Sequence, residues 1–173
     1  MKILVVIDMQ NDFITGALRN SDAISLVSPM CEYIKNFDGA IVYTKDIHFD
    51  NYLDTLEGKN LPIPHCIKGT SGADIERNIL LASNDKKRLI LEKNTFGLSN
   101  FGEILSENFD NIEKIELVGV CTGICVISNA MILKSYFQNI PIVVIESLCA
   151  CVSHESHECA INAMKMCQIE VVQ

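Results

Sequence analysis

At 173 residues the chain has the length of one domain that can bury a core without disulfide staples. Its 49% hydrophobic and 21% charged residues argue against disorder, and a net charge of -8 argues against nucleic acid or an anionic membrane as partner. No apolar run reaches the roughly 18 residues of a membrane span, and a strand pattern begins within two residues of Met1, so no signal peptide is expected; the eight cysteines are expected as free thiols in a reducing cytoplasm.

In chain order, Lys2–Ile7 reads as a buried strand that ends on Asp8, and Ser28-Pro29 reads as a capped start for a helix over Pro29–Asn36. A second strand, Gly39–Thr44, leads to Asp46. The segment from Asp46 to Ser71 is irregular and longer than a compact domain carries without a functional reason. It holds Asp46-Ile47-His48, then Glu57, then His65. A helix over Ile75–Ala82 and a strand over Arg88–Leu91 follow, with Lys93 just beyond the strand. A helix at Asn100–Asn108, a strand at Ile115–Val120 and a helix at Val126–Asn139 come next. The chain closes with a strand at Ile142–Ile145, a helix at His154–Met166 headed by Ser153, and a strand at Glu170–Val172.

Unbroken Val/Ile/Leu strands alternating with helices predict a three-layer α/β/α sandwich on a six-stranded, mainly parallel, doubly wound sheet, in a single domain over 1–173. In such folds ligands bind at the carboxyl ends of the strands, where Asp8, Asp46, Lys93 and Cys125 fall. Cys125 sits where a strand gives way to a helix, and the helix's unpaired amides and positive dipole end favour a thiolate, hence a nucleophile. Gly119 and Gly123 permit a tight turn there, and amides near Cys121 and Cys125 are placed to form an oxyanion hole. Asp46 and His48 project to one side of an extended segment and, with His65, make a two-histidine, one-carboxylate set suited to zinc, iron or manganese. Against these stand plainer roles: Asp8 capping a turn at Asn11 or Asp12, Lys93 as a solvated strand end, His154 and His157 as capping or packing groups. Cys31, Cys159 and Cys167 are expected to be buried on apolar helix faces, and Cys149 and Cys151 to lie in an apolar turn.

Taken together, the motifs Val6-Ile7-Asp8-Met9-Gln10-Asn11-Asp12-Phe13, Asp46-Ile47-His48, His65-Cys66-Ile67-Lys68-Gly69-Thr70, Lys93-Asn94-Thr95-Phe96 and Gly119–Val126 resemble the isochorismatase-like cysteine hydrolases, above all their nicotinamidase branch. The resemblance implies Cys125 as nucleophile, Asp8 as general base and Lys93 as their electrostatic partner. It implies a non-proline cis peptide at Val120–Cys121 and an oxyanion hole from the Cys121 and Cys125 amides. It also implies a divalent metal, zinc foremost, on Asp46, His48 and His65 with Glu57 as a loose fourth ligand, and a substrate wall that includes Phe13 and Phe96. A small amide, nicotinamide by default, is the implied substrate, and self-association into a homo-oligomer is the common habit of such proteins. The chain departs from the pattern at Thr122-Gly123, where relatives carry Thr-Asp, and in having no tryptophan before His65, where Pro62-Ile63-Pro64 stands. The rival functions are a related N-carbamoyl or ureide amidohydrolase, a thiol redox protein using Cys121 and Cys125, and a non-catalytic binding scaffold.

Overall fold

The computed structural model describes residues 1–173. Its elements run β1 (Lys2–Ile7), α1 (Asn11–Ile14), α2 (Ser21–Asn36), β2 (Ala40–Asp46), α3 (Leu56–Asn60), α4 (Arg77–Leu81), β3 (Arg88–Lys93), α5 (Phe101–Asn108), β4 (Lys114–Val120), α6 (Ile127–Tyr136), β5 (Ile142–Ala150), α7 (His154–Met166) and β6 (Glu170–Val172). The strands form one sheet in the order β3-β2-β1-β4-β5-β6, and every pairing is parallel. The expected architecture is therefore present, without an antiparallel edge.

Side chains alternate across the central strands. Ile3, Val5 and Ile7 enter one apolar cluster, together with Leu117, Phe101, Val126 and Leu133. Leu4 and Val6 enter a second on the opposite face, with Met30, Ile34, Tyr43 and Ile79. Both faces of the sheet are covered, which explains why its central strands are apolar throughout. The order reverses between β1 and β4, and that is where the ends of these strands splay into a crevice.

Several boundaries differ from the sequence expectation. The helix expected from Pro29 begins at Ser21, because Asn20 caps it by accepting from the Asp22 and Ala23 amides at 2.8 and 3.2 Å. Pro29 lies within the helix on its exposed face, while Ala23, Leu26, Met30 and Ile34 hold the opposite face against the sheet. Strand β5 runs past the polar Glu146 and Ser147 to Ala150. Pairing advances from Leu117↔Val144 to Gly119↔Cys149, so β5 bulges at its polar residues and then rejoins β4. Cys149 is consequently a strand residue. The helix at Ile75–Ala82 shortens to α4, and the segment after Asp46 contains α3 with a short 3₁₀ turn at Tyr52–Asp54. Of the cysteines expected to be buried, Cys159, within α7, and Cys167, just past its end, are exposed, and Cys31 is half-buried.

Candidate active site

Asp8 follows β1 in a left-handed conformation, φ 49°, and is fully buried. Its carboxylate does not cap the turn at Asn11 or Asp12. Oδ1 instead accepts from the Thr44 hydroxyl at 2.5 Å, and the Asp8 amide donates back to Thr44 Oγ1 at 3.2 Å. Oδ2 lies 2.7 Å from Lys93 Nζ, off line for a hydrogen bond, so this oxygen keeps lone-pair capacity beside Cys125. Lys93 closes β3 and is buried, not solvated. Its ammonium also lies 3.3 Å from Asp46 Oδ1 and 3.7 Å from Cys125 Sγ. Burial alone would lower the Lys93 pKa, but Asp8, Cys125 and Asp46 together outweigh it and hold the ammonium charged well above its usual range.

Cys125 is reached through a turn of unusual form. Beyond the cis peptide at Val120–Cys121, residues Thr122–Val126 make a π turn that runs straight into α6. The amides of Ile124 and Val126 both donate to the Cys121 carbonyl, at 3.0 and 3.1 Å, whereas the Cys121 amide donates to no protein group. Gly119 makes the approach possible at φ 121°: a Cβ there would meet the Ile7 carbonyl oxygen at 2.1 Å. The pull of the helix end toward a thiolate is opposed at Cys125. Burial first, then the negative charge of Asp8, push the Cys125 thiol up despite Lys93 beside it. Burial likewise raises the Asp8 carboxyl, against the pull of Lys93. The pair therefore suits a thiol that passes its proton to a buried carboxylate.

The metal-ligating types also converge. Ligand atoms of Asp46, His48, Glu57 and His65 all lie within 4.8 Å of one another. His48 Nε2 is 3.0 Å from Asp46 Oδ2 and 3.6 Å from Glu57 Oε1, and His65 Nε2 is 3.7 Å from each of those oxygens. His65 Nδ1 meets the Ile63 carbonyl at 2.8 Å, which puts its proton on Nδ1 and turns the Nε2 lone pair inward. Two nitrogens and two carboxylates, three of the four residues buried, form a donor set that fits zinc, manganese or iron. Burial would raise the Asp46 carboxyl, but His48, His65 and Lys93 hold it well below the usual carboxylate range. Glu57, a loose match in sequence, reaches the cluster because α3 folds the long segment back.

A cavity of about 650 Å³ opens beside these groups, lined by Phe13, Leu61, Phe96, Cys121, Cys125 and Cys151 among others. The Phe13 ring lies 5.6 Å from that of His65, and Phe96 is half-exposed at the mouth. Leu61 occupies the stretch without tryptophan. Burial pushes the Cys121 thiol up to about 12, which makes it a poor redox partner for Cys125.

Sequence reasoning passed over the residues that hold this site together. Gln10 is fully buried and binds both backbone faces of Asp46, donating to its carbonyl at 2.8 Å and accepting from its amide at 2.7 Å. Asp12 accepts from the Cys66 amide at 2.7 Å and so fastens the His65 segment. Asn129 accepts from the Leu98 amide and donates to the carbonyls of Phe96 and Cys125, at 3.0, 3.1 and 2.7 Å. Each adjoins one apolar and one polar residue in sequence, so no local pattern marked it out.

The chain matches the isochorismatase domain over residues 2–173. It is 24% identical over 188 residues to the nicotinamidase/pyrazinamidase of Mycobacterium tuberculosis, covering 99% of this chain and 98% of that protein. Its fold superposes on the pyrazinamidase/nicotinamidase of Streptococcus mutans with a TM-score of 0.83 at 27% identity, covering 99% and 100% of the two chains. It superposes equally, at 0.83 and 26% identity, on a pyrazinamidase of Pyrococcus horikoshii crystallised with zinc, covering 99% and 98%. With that match over its length and a cysteine, an aspartate and a lysine gathered at the carboxyl ends of its strands, this chain belongs to the isochorismatase family.

Proposed function

We propose that the protein is a cysteine amidohydrolase that converts nicotinamide to nicotinate and ammonia through a thioester on Cys125. The observation that carries this is the placement of Lys93 Nζ within 3.7 Å of Asp8, Asp46 and Cys125 together. Asp8 takes the thiol proton as the sulfur attacks the amide carbon, and Lys93 holds the combined negative charge of carboxylate and thiolate. The amides of Cys121 and Cys125 receive the oxyanion. When the tetrahedral species collapses, the C–N bond breaks and Asp8 returns its proton to the departing ammonia. Water then adds to the thioester with Asp8 again as base, releasing the acid and restoring the thiol. Phe13 and Phe96 flank the bound ring.

Asp46, His48, His65 and Glu57 would hold a divalent ion, zinc by the nature of the donors. That ion supplies an electron-pair acceptor for a donor atom of the substrate. The free thiols point to a reducing cytoplasm, and no helix is long and apolar enough to cross a membrane. Exposed Phe49, Leu53 and Leu56 are consistent with self-association.

Ammonia release from nicotinamide by the zinc-loaded protein tests the assignment, with Cys125→Ala as control. Rapid release that disappears in the variant is expected. A variant retaining more than a few per cent of the activity would remove Cys125 as the nucleophile. A wild-type protein that labels at Cys125 with iodoacetamide yet leaves nicotinamide intact would shift the substrate to another amide or to a ureide.

A further inference from the structure

The turn that carries Cys125 is tied to α7 and to the β5–β6 edge of the sheet by a polar chain with no part in bond-making. Thr122, its first residue, is fully buried. Thr122 Oγ1 lies 2.9 Å from His157 Nδ1 on α7. The other ring nitrogen, His157 Nε2, lies 3.7 Å from Glu146 Oε1, and Glu146 Oε2 accepts from Gln173 Nε2 at 3.1 Å. A carboxylate beside Nε2 favours the imidazole proton there, so Nδ1 accepts and the threonine hydroxyl donates. Glu146 reaches His157 because it lies in the β5 bulge between the two stretches paired to β4. Glu146, His157 and Gln173 thus converge on a single hydroxyl in the turn.

The tether acts from outside on a turn that is otherwise closed by backbone bonds to the Cys121 carbonyl and by the Gly123 amide, which donates to Cys151 Sγ at 3.3 Å. The residue after Thr122 is Gly123, which carries no side chain to anchor it and adds backbone freedom. A Cβ at Gly123 would stand 3.2 Å from both Cys151 Sγ and the Ser156 carbonyl oxygen, so the turn lies flush against the start of α7 at this point. Thr122 is also flanked by the two amides assigned to the oxyanion, those of Cys121 and Cys125. Any rotation about Thr122 changes the angle between them.

We propose that His157, oriented by Glu146 and bonded to Thr122, is a positioning residue that fixes the Cys121–Cys125 turn so that both amides face the developing oxyanion. This rests on the amidohydrolase assignment, and its effect falls on the transition state, not on substrate binding. Misplacement of such donors by a fraction of an ångström lowers kcat by about tenfold to a hundredfold.

The test compares zinc-loaded wild type, Thr122→Val, Thr122→Ser and His157→Ala in steady-state ammonia release from nicotinamide. Amide hydrogen exchange across residues 121–126 is followed in parallel by NMR. Thr122→Val and His157→Ala are expected to lose kcat by tenfold or more, with KM and the rate of iodoacetamide labelling at Cys125 within twofold. Exchange should quicken in the turn but not in α6, and Thr122→Ser should recover most of the rate. Unchanged kcat in both variants, or a loss carried equally by KM, would overturn the proposal. Should Thr122→Val fail to fold, His157→Ala decides alone. If the wild type does not hydrolyse nicotinamide, it is the substrate that is wrong, and the tether is judged on exchange: turn amides as protected in both variants as in wild type would refute it.

Discussion

Removing the lysine of the Lys93–Asp8 contact alone and removing both charges together should have unequal consequences. Lys93 is the ammonium that two carboxylates and a thiol share, all of them buried. Lys93→Met would leave Asp8 in an apolar site with no opposite charge, and removing one partner of a buried pair typically costs about 3–5 kcal/mol. Urea unfolding should therefore show a marked loss in Lys93→Met. The double variant Asp8→Asn/Lys93→Met should recover most of it, because the amide can still bond Thr44 without a charge to balance. Neither protein should turn over substrate. Equal destabilisation in single and double variants would mean that the lysine acts through packing of its stem. The same balance explains why a strand-to-helix junction alone does not decide how readily Cys125 gives up its proton. The dipole argument considers a surface thiol, whereas this one is buried next to a carboxylate, and those two effects win.

At the scale of elements, two backbone positions set how the crevice is built. Gly119→Ala would drive a methyl into the Ile7 carbonyl at the centre of the sheet and force an L-residue to φ 121°; we expect it to be recovered only as insoluble or unfolded protein, read by circular dichroism. Pro29→Ala is the reverse case. It restores an amide in the middle of α2 on an exposed face and should raise stability by about 1–2 kcal/mol in urea titration, after allowing for the freer unfolded chain. Pro29 also shows where local signals mislead. Ser28-Pro29 has the form of a helix start, but Asn20 had already supplied a better cap and Ala23 and Leu26 a face to bury. The six strands were legible because each is a short run rich in Val, Ile or Leu. The extension of β5 was not, since it depends on rejoining β4 beyond Glu146 and Ser147. In the same way Asp8, Lys93 and Cys125 were legible as reactive side chains at strand ends. Gln10, Thr44, Asn129 and the Thr122–His157 contact were not, because partners that give them their role lie 31 or more residues away in sequence, Cys125 beside Asn129 excepted.

For the whole molecule, an ion that binds the Asp46, His48, Glu57 and His65 set only in the folded state must stabilise the fold. At a hundredfold excess over its dissociation constant the gain is about 2.7 kcal/mol. Thermal unfolding of chelated protein should therefore shift upward on adding zinc, and His48→Ala/His65→Ala should abolish the shift. A melting temperature indifferent to zinc would make these histidines structural. Heat should reveal something else as well. The two apolar clusters lie on opposite faces of one sheet, and each central strand contributes alternate side chains to both. Neither layer of helices can detach without stripping the sheet that the other one needs. The crevice, drawing its groups from β1, β2, β3 and the turn after β4, has no independent hinge on which to melt first. Catalysis and secondary structure are expected to vanish at the same temperature, in one cooperative step.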